Sequence, residues 1–183
     1  MDAYSLDGLH NAEGSLPLLR LFENARHSIE VISAYPTFPF IDALAATARR
    51  GVPVTLYTPR ANNKPIIRDY LMGEARRTGI AIRLLAEMTH VKAALIDGEV
   101  LVAGSSNFDF VSNRANAEYV AVIRDAGLIA DFTARMLEPA RTGASLPQPG
   151  DHAPWRSLRA KLGLKIADAA IGILRHGKPI AEW

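Results

Sequence analysis

The first stretch with a repeating apolar pattern is "SLPLLRLFENARH". Ser15 is placed to cap a helix, Pro17 falls in the first turn, and the leucines recur at helical spacing. "SIEVISAY" then predicts a buried strand. "FIDALAATARRG" predicts a helix closed by Gly51, and "VPVTLYT" a second strand. "KPIIRDYLMGEARRTG" predicts another crossover helix despite its internal Gly73, and "IAIRLL" a third strand. "VKAALID" and "VLVAG" alternate around Asp97-Gly98, a dipeptide suited to a type I′ hairpin turn. "NAEYVAVIRD" predicts one more strand, and "LIADFTARMLEPAR" a helix laid back on the sheet. Strands alternating with helices of this length indicate βαβ units. The expected class is α/β: a mixed, mostly parallel sheet flanked by helices, plus a C-terminal tail helix.

The periodic pattern stops at "TGASLPQPGDHAP", whose prolines and glycines predict a linker over 144–154. It separates a domain of residues 1–143 from a tail, 155–183, that reads as helix. Trp155, Leu158, Leu162, Ile166, Ala169 and Ile173 form one stripe at three- and four-residue steps. Two readings of this helix stay open. The stripe can dock on a membrane surface with Lys161, Lys165 and Arg175 turned outward. Alternatively the helix packs on the domain or on a partner. Leu164 and Ile171 fall opposite the stripe and Arg159 intrudes on it, so the helix is only partly amphipathic.

Composition narrows the setting. The chain has 183 residues, 49% hydrophobic and 22% charged, enough for one domain with a real core. The absence of cysteine excludes disulfides, thiolate metal sites and thiol nucleophiles. "MDAYSLDGLHNAEG" lacks the pattern of a signal peptide, and no uncharged apolar run approaches the ~20 residues of a membrane span. The expected location is cytoplasmic, with peripheral membrane contact as an extension of it. Residues 1–150 hold 15 basic against 16 acidic side chains, whereas residues 151–183 hold 6 against 3. A basic tail on a near-neutral body points weakly to an anionic surface. The totals do not suggest the basic groove of a duplex nuclease.

The candidate chemistry lies in "THVKAALIDGEVLVAGSSNFD". Positions two apart on a strand point the same way, so His90 and Lys92 share a face. A neutral imidazole can be a nucleophile, and an ammonium can hold a phosphate. The turn Gly104-Ser105-Ser106-Asn107 offers backbone N–H groups, hydroxyls and an amide to phosphate oxygens. Glu118, in the following strand, is a carboxylate able to fix an imidazole tautomer. Metal ligation fits poorly, because Lys92 brings positive charge to the centre and no second ligand stands at metal spacing. The loops "AYPTFPF" and "TPRANNK" leave the carboxyl ends of strands and are candidate site walls. Arg60, Lys64 and Arg68 lie in or just after the second and suit any anionic substrate. His10, His27, His152 and His176 have no such company and read as surface or packing residues. Taken singly, a strand histidine, an Asp-Gly turn and a polar loop are all ordinary. Together, at these intervals, chance explains them badly.

His90-x-Lys92-x4-Asp97-x6-Gly104-Ser105-x-Asn107 resembles the HKD signature of the phospholipase D superfamily. "LFENARHSIEVISAY", "ALAATARRGVPVTLY" and "RTGIAIRLL" look like the helix–strand units that precede it in cardiolipin-synthase-like members. The resemblance covers most of residues 15–140; the tail has no clear counterpart. It implies a phospholipase D-like fold and a site where two HKD motifs meet. One histidine attacks phosphorus to give a phosphohistidine, the other protonates the leaving alkoxide, and water or an alcohol resolves the intermediate. By that resemblance His90 is nucleophile or general acid, and Lys92 and Asn107, helped by Ser105, bind the phosphate. Asp97 supports the site from outside, and Glu118 orients His90. No cofactor or divalent metal is implied. The implied substrate is a phospholipid first and a nucleic acid second. This chain holds one motif, which implies a homodimer, pairing with a second HKD-bearing chain, or a non-catalytic half. Its Gly-Ser-x-Asn form looks more like the C-terminal half of a two-motif enzyme.

Overall fold

The computed structural model describes residues 2–8, 10–151 and 153–174. The strands are β1 (Asp2–Asp7), β2 (Ile29–Ile32), β3 (Val54–Pro59), β4 (Ala81–Leu85), β5 (Ala93–Ile96), β6 (Val100–Gly104) and β7 (Ala117–Ile123). The helices are α1 (Asn11–Gly14), α2 (Leu16–Glu23), α3 (Phe40–Arg49), α4 (Pro65–Thr78), α5 (Phe110–Arg114), α6 (Ala126–Phe132), α7 (Glu138–Gly143) and α8 (Pro154–Leu174). A π-helical turn, Thr133–Leu137, joins α6 to α7.

All seven strands form one sheet in the order β1-β7-β6-β5-β2-β3-β4. Parallel pairing is confined to β2–β3 and β3–β4, where α3 and α4 supply the crossovers. The other four pairings are antiparallel, so the expectation of a mostly parallel sheet is corrected to a mixed, mostly antiparallel one. The reason lies between β4 and β5. Only residues 86–92 connect them, too few for a helical crossover of a dozen or more residues. β5 therefore enters beside β2 in the opposite direction, and the hairpin and β7 continue that sense. β1 escapes the apolar pattern because it is an edge strand, exposed along most of its length and paired only with β7.

Successive residues of the central strands feed two cores. Val31, Leu56, Ala94, Ile96, Val102, Val120 and Val122 pack with α2, α3 and α4, and with Ala160 and Leu164 of α8. Ile32, Tyr57, Ala93, Leu95 and Leu101 face Ile129, Leu137 and Ala140 on the other side of the sheet. β5 is buried at every position, which explains its unbroken apolar run.

The linker is pinned at both ends. Leu84 and Ser145 exchange backbone hydrogen bonds of 2.8 and 2.9 Å. Asp151 accepts from Arg60 at 3.2 Å and from Arg68 at 2.6 Å. α8 then runs antiparallel to α4, with Ser157 against Gly73 and Gly163 against Ile66. It shares the core of the body. Arg175, His152 and His176 lie outside the described residues. Among the described residues, no helix is long and apolar enough to cross a membrane.

Candidate active site

The β5–β6 hairpin turns at Ile96–Glu99, closed by the Glu99 N–H on the Ile96 carbonyl at 3.0 Å. Asp97 (φ 55°) and Gly98 (φ 73°) have the paired positive φ of a type I′ turn. The Asp97 carboxylate accepts from the backbone N–H groups of Arg26, His27 and Ser28 at 2.7–3.1 Å. Burial works to raise its pKa, but these three donors hold it below the usual carboxylate range. Asp97 stands at the end of β5 remote from His90, and it clamps the chain entering β2. It touches none of the other signature residues.

At the opposite end of the hairpin, His90 and Lys92 occupy the extended segment ahead of β5. Gly104 N–H donates to the Lys92 carbonyl at 3.3 Å, so the ladder reaches one residue past the strand. Lys92, Ala94 and Ile96 continue one row, and Glu118, Val120 and Val122 another, on the same face of the sheet. Burial pulls the Lys92 ammonium below the usual lysine range, opposed by the carboxylates of Glu118 and Asp109. Its Nζ donates to the His90 carbonyl at 3.0 Å. The exposed His90 ring has no hydrogen-bond partner among the described residues.

Gly104 has a steric cause: a Cβ there would lie 2.1 Å from the Tyr119 carbonyl oxygen, so only glycine lets β6 and β7 meet. The turn beyond it is not an empty cradle of N–H groups. Ser105 N–H is given to the Tyr119 carbonyl at 2.9 Å, and Asn107 N–H to Ser112 Oγ at 3.2 Å. Of its side chains, Ser105 Oγ, expected to help bind phosphate, accepts from Tyr119 N–H at 3.0 Å and donates to Glu118, and Ser106 Oγ accepts from Phe108 N–H at 3.3 Å. The Asn107 amide has no partner among the described residues. Glu118 accepts from Ser105 Oγ, from Ser112 Oγ at 2.8 Å and from Asn116 Nδ2 at 3.2 Å. Its oxygens are therefore engaged with the turn, not with His90.

The loop "AYPTFPF" is stitched to this turn. Ser33 Oγ donates to the Asn107 carbonyl, Thr37 N–H to the Phe108 carbonyl, and Phe110 N–H to Thr37 Oγ1, each at 3.0 Å. Phe108 sits at φ 59°, a costly conformation for a bulky residue, and its ring packs on Phe22 and Phe40. "TPRANNK" joins the same wall through Asn62 Nδ2 on the Ala34 carbonyl (2.6 Å) and Tyr35 Oη on Asn63 (2.7 Å). Lys64 lies over the Tyr35 ring at 4.6 Å. Arg60 and Arg68, expected to serve the substrate, are held instead by Asp151. Asp109 was not singled out by the motif. It caps α5 by accepting from Ser112 N–H at 2.7 Å, and burial raises its pKa against that bond and the nearby Lys64. An aspartate directly ahead of the short helix α5, a preferred capping residue, was its one local signal.

No group of three or more His, Asp or Glu among the described residues is placed to hold a metal ion. The site thus offers an imidazole, an ammonium and an amide at one end of the sheet, behind two stitched loops.

Residues 18–138 match the family described as "Cardiolipin synthase, PLD-like domain". "Cardiolipin synthase A" of Citrobacter koseri is 30% identical over 123 residues, 64% of this chain and 25% of that protein. The chain thus spans about a quarter of the length of such curated relatives. Among solved structures, the phospholipase D family member Nuc from Salmonella typhimurium superposes with a TM-score of 0.70 at 19% identity. That match covers 80% of this chain and 97% of Nuc. Phosphatidylserine synthase from Haemophilus influenzae gives 0.65 at 14% identity, over 84% and 43% of the two chains. The family match spans well over half of the residues and contains every member of the His90–Asn107 signature. The chain belongs to the cardiolipin-synthase type of phospholipase D-like domain.

Proposed function

We propose that this chain is a metal-independent phosphodiesterase or phosphatidyltransferase acting on phospholipid through a phosphohistidine at His90. What supports this reading is that the hairpin and its turn carry His90, Lys92 and Asn107 to one end of the sheet, with the His90 ring and the Asn107 amide unpartnered among the described residues. The His90 imidazole attacks phosphorus, and the bond from phosphorus to the departing alkoxide breaks. Lys92 and Asn107 stabilise the charge that develops on the phosphoryl oxygens. Glu118 holds Ser105 and Ser112 and thereby the shape of the turn.

The leaving alkoxide needs a proton, and this chain has one motif. A second copy across a two-fold axis, or another HKD-bearing chain, supplies the second histidine. That histidine, deprotonated by the first step, then activates the water or alcohol that displaces His90 from phosphorus. Phospholipid is favoured over nucleic acid by the cardiolipin synthase family match and by a body without excess basic charge.

The test is hydrolysis of a chromogenic phosphodiester by the purified chain in excess EDTA, beside His90→Asn. Turnover that survives the chelator and disappears in the variant is expected. An undiminished rate in His90→Asn would remove the nucleophile assignment. No turnover in either protein would favour a half-site, and adding a second HKD-bearing chain should then restore activity.

A further inference from the structure

α8 carries two apolar faces. Ser157, Ala160 and Leu164 are buried against the body. The opposite face stands in solvent, with Trp155 57%, Leu158 70%, Leu162 61%, Ile166 62% and Ile173 76% exposed. A single exposed leucine is unremarkable, but five large apolar side chains along about 27 Å of one helix form a continuous strip.

Charge says what covers it. Asp168, the acidic residue of α8, is paired with Arg114, and Lys161 is paired with Glu74 at 2.8 Å. Arg156, Arg159 and Lys165 form no ion pair with a carboxylate among the described residues. Arg156 and Arg159 lie 5.5 and 5.6 Å from the centre of the Trp155 ring, and Lys165 lies 3.6 Å from that of Phe38. The strip is therefore apolar with an excess of cations beside it, Arg156 and Arg159 lining one groove with the single carboxylate of Asp69. A second copy of this face would set like charges together. We propose that the exposed face of α8 docks on an anionic lipid surface. Trp155 and the aliphatic side chains enter the boundary between headgroups and acyl chains, and Arg156 and Arg159 meet lipid phosphates.

The geometry also relates this face to the candidate site. Phe38, under Lys165, belongs to the loop stitched to the Asn107 turn, and Arg114, bound by Asp168, ends the helix that follows it. The inference itself rests on exposure and charge and does not require the catalytic reading.

The experiment is co-sedimentation of the purified chain with vesicles of phosphatidylcholine alone and of phosphatidylcholine mixed with phosphatidylglycerol. Binding to the mixed vesicles, weakened by salt, is expected. Leu162→Glu/Ile166→Glu should reduce it at least ~10-fold with an unchanged circular dichroism spectrum. Arg156→Glu/Arg159→Glu should remove the preference for anionic lipid. His90→Asn should bind like the wild type, which separates this result from any failure of catalysis. Equal or absent binding to the two vesicle types, or full binding by Leu162→Glu/Ile166→Glu, would overturn the proposal. A dimer that the same double variant dissociates, without vesicle binding, would assign the strip to a second copy instead.

Discussion

Three residues of the signature act for different physical reasons. Gly104 is present because a side chain would strike the Tyr119 carbonyl. Gly104→Ala should destabilise the fold by ~1–3 kcal/mol through overpacking against backbone, seen as a lower urea midpoint. Asp97 acts through charge and three backbone donors. Its folded pKa is depressed, so the stability it contributes is present above the unfolded value of about 3.9 and is lost as pH falls through the folded value. Asp97→Asn should cost about 1 kcal/mol at neutral pH, a figure discounted for the exposure of the turn. The gap from wild type should begin to narrow below pH ~4 in paired denaturation curves and close only as pH passes below the folded value. Lys92 differs again, because burial favours its neutral form. Under the catalytic reading, kcat/KM should fall on the alkaline side below the ordinary lysine value of about 10.4. Lys92→Arg should remove that limb, and Lys92→Ala should lower kcat by about 100-fold or more.

At the scale of elements, the motif was legible because its residues are close in sequence and their spacing is local. His90, Lys92, Asp97, Gly104 and Asn107 all lie on one hairpin and its turn. Thr37, Asp109 and Ser112 were not legible in the same way. Their roles are contacts with the Asn107 turn or Lys92, and Thr37 reaches them across more than seventy residues. Gly73 belongs with these. Within α4 it reads as a weak point of the helix, yet a Cβ there would lie 2.6 Å from the Ser157 Cβ. It is the place where α8 approaches. Gly73→Leu should loosen α8 while sparing the sheet. Amide exchange over Pro154–Leu174 should rise roughly 5- to 150-fold, the equivalent of 1–3 kcal/mol of overpacking.

For the whole molecule, a single motif makes the proposed site depend on association. If two copies each supply a histidine, diluting wild-type chains into inactive His90→Asn chains should lower activity as the square of the wild-type fraction, measured after subunit exchange. A linear fall would mean that one chain suffices. The two-faced α8 also settles what its pattern left open. Leu164 faces the body, and the stripe from Trp155 to Ile173 faces away from it. The packing reading therefore holds for the buried side of the helix, and the exposed side is the one proposed to meet lipid.

The amino-acid sequence alone determined the succession of strands and helices apart from β1, α1 and α5, the type I′ turn and the family-bearing His90–Asn107 set. Each depends on interactions or spacings within a few residues. Tertiary structure alone decided the direction of β5 beside β2, the pairing of the polar β1 with β7 and the capture of Arg60 and Arg68 by Asp151. It also turned Glu118 toward two serines and left one face of α8 in solvent. These outcomes depend on which distant surfaces meet. A chain encodes that in the sum of its packing and pairing energies, not in the spacing of its residues.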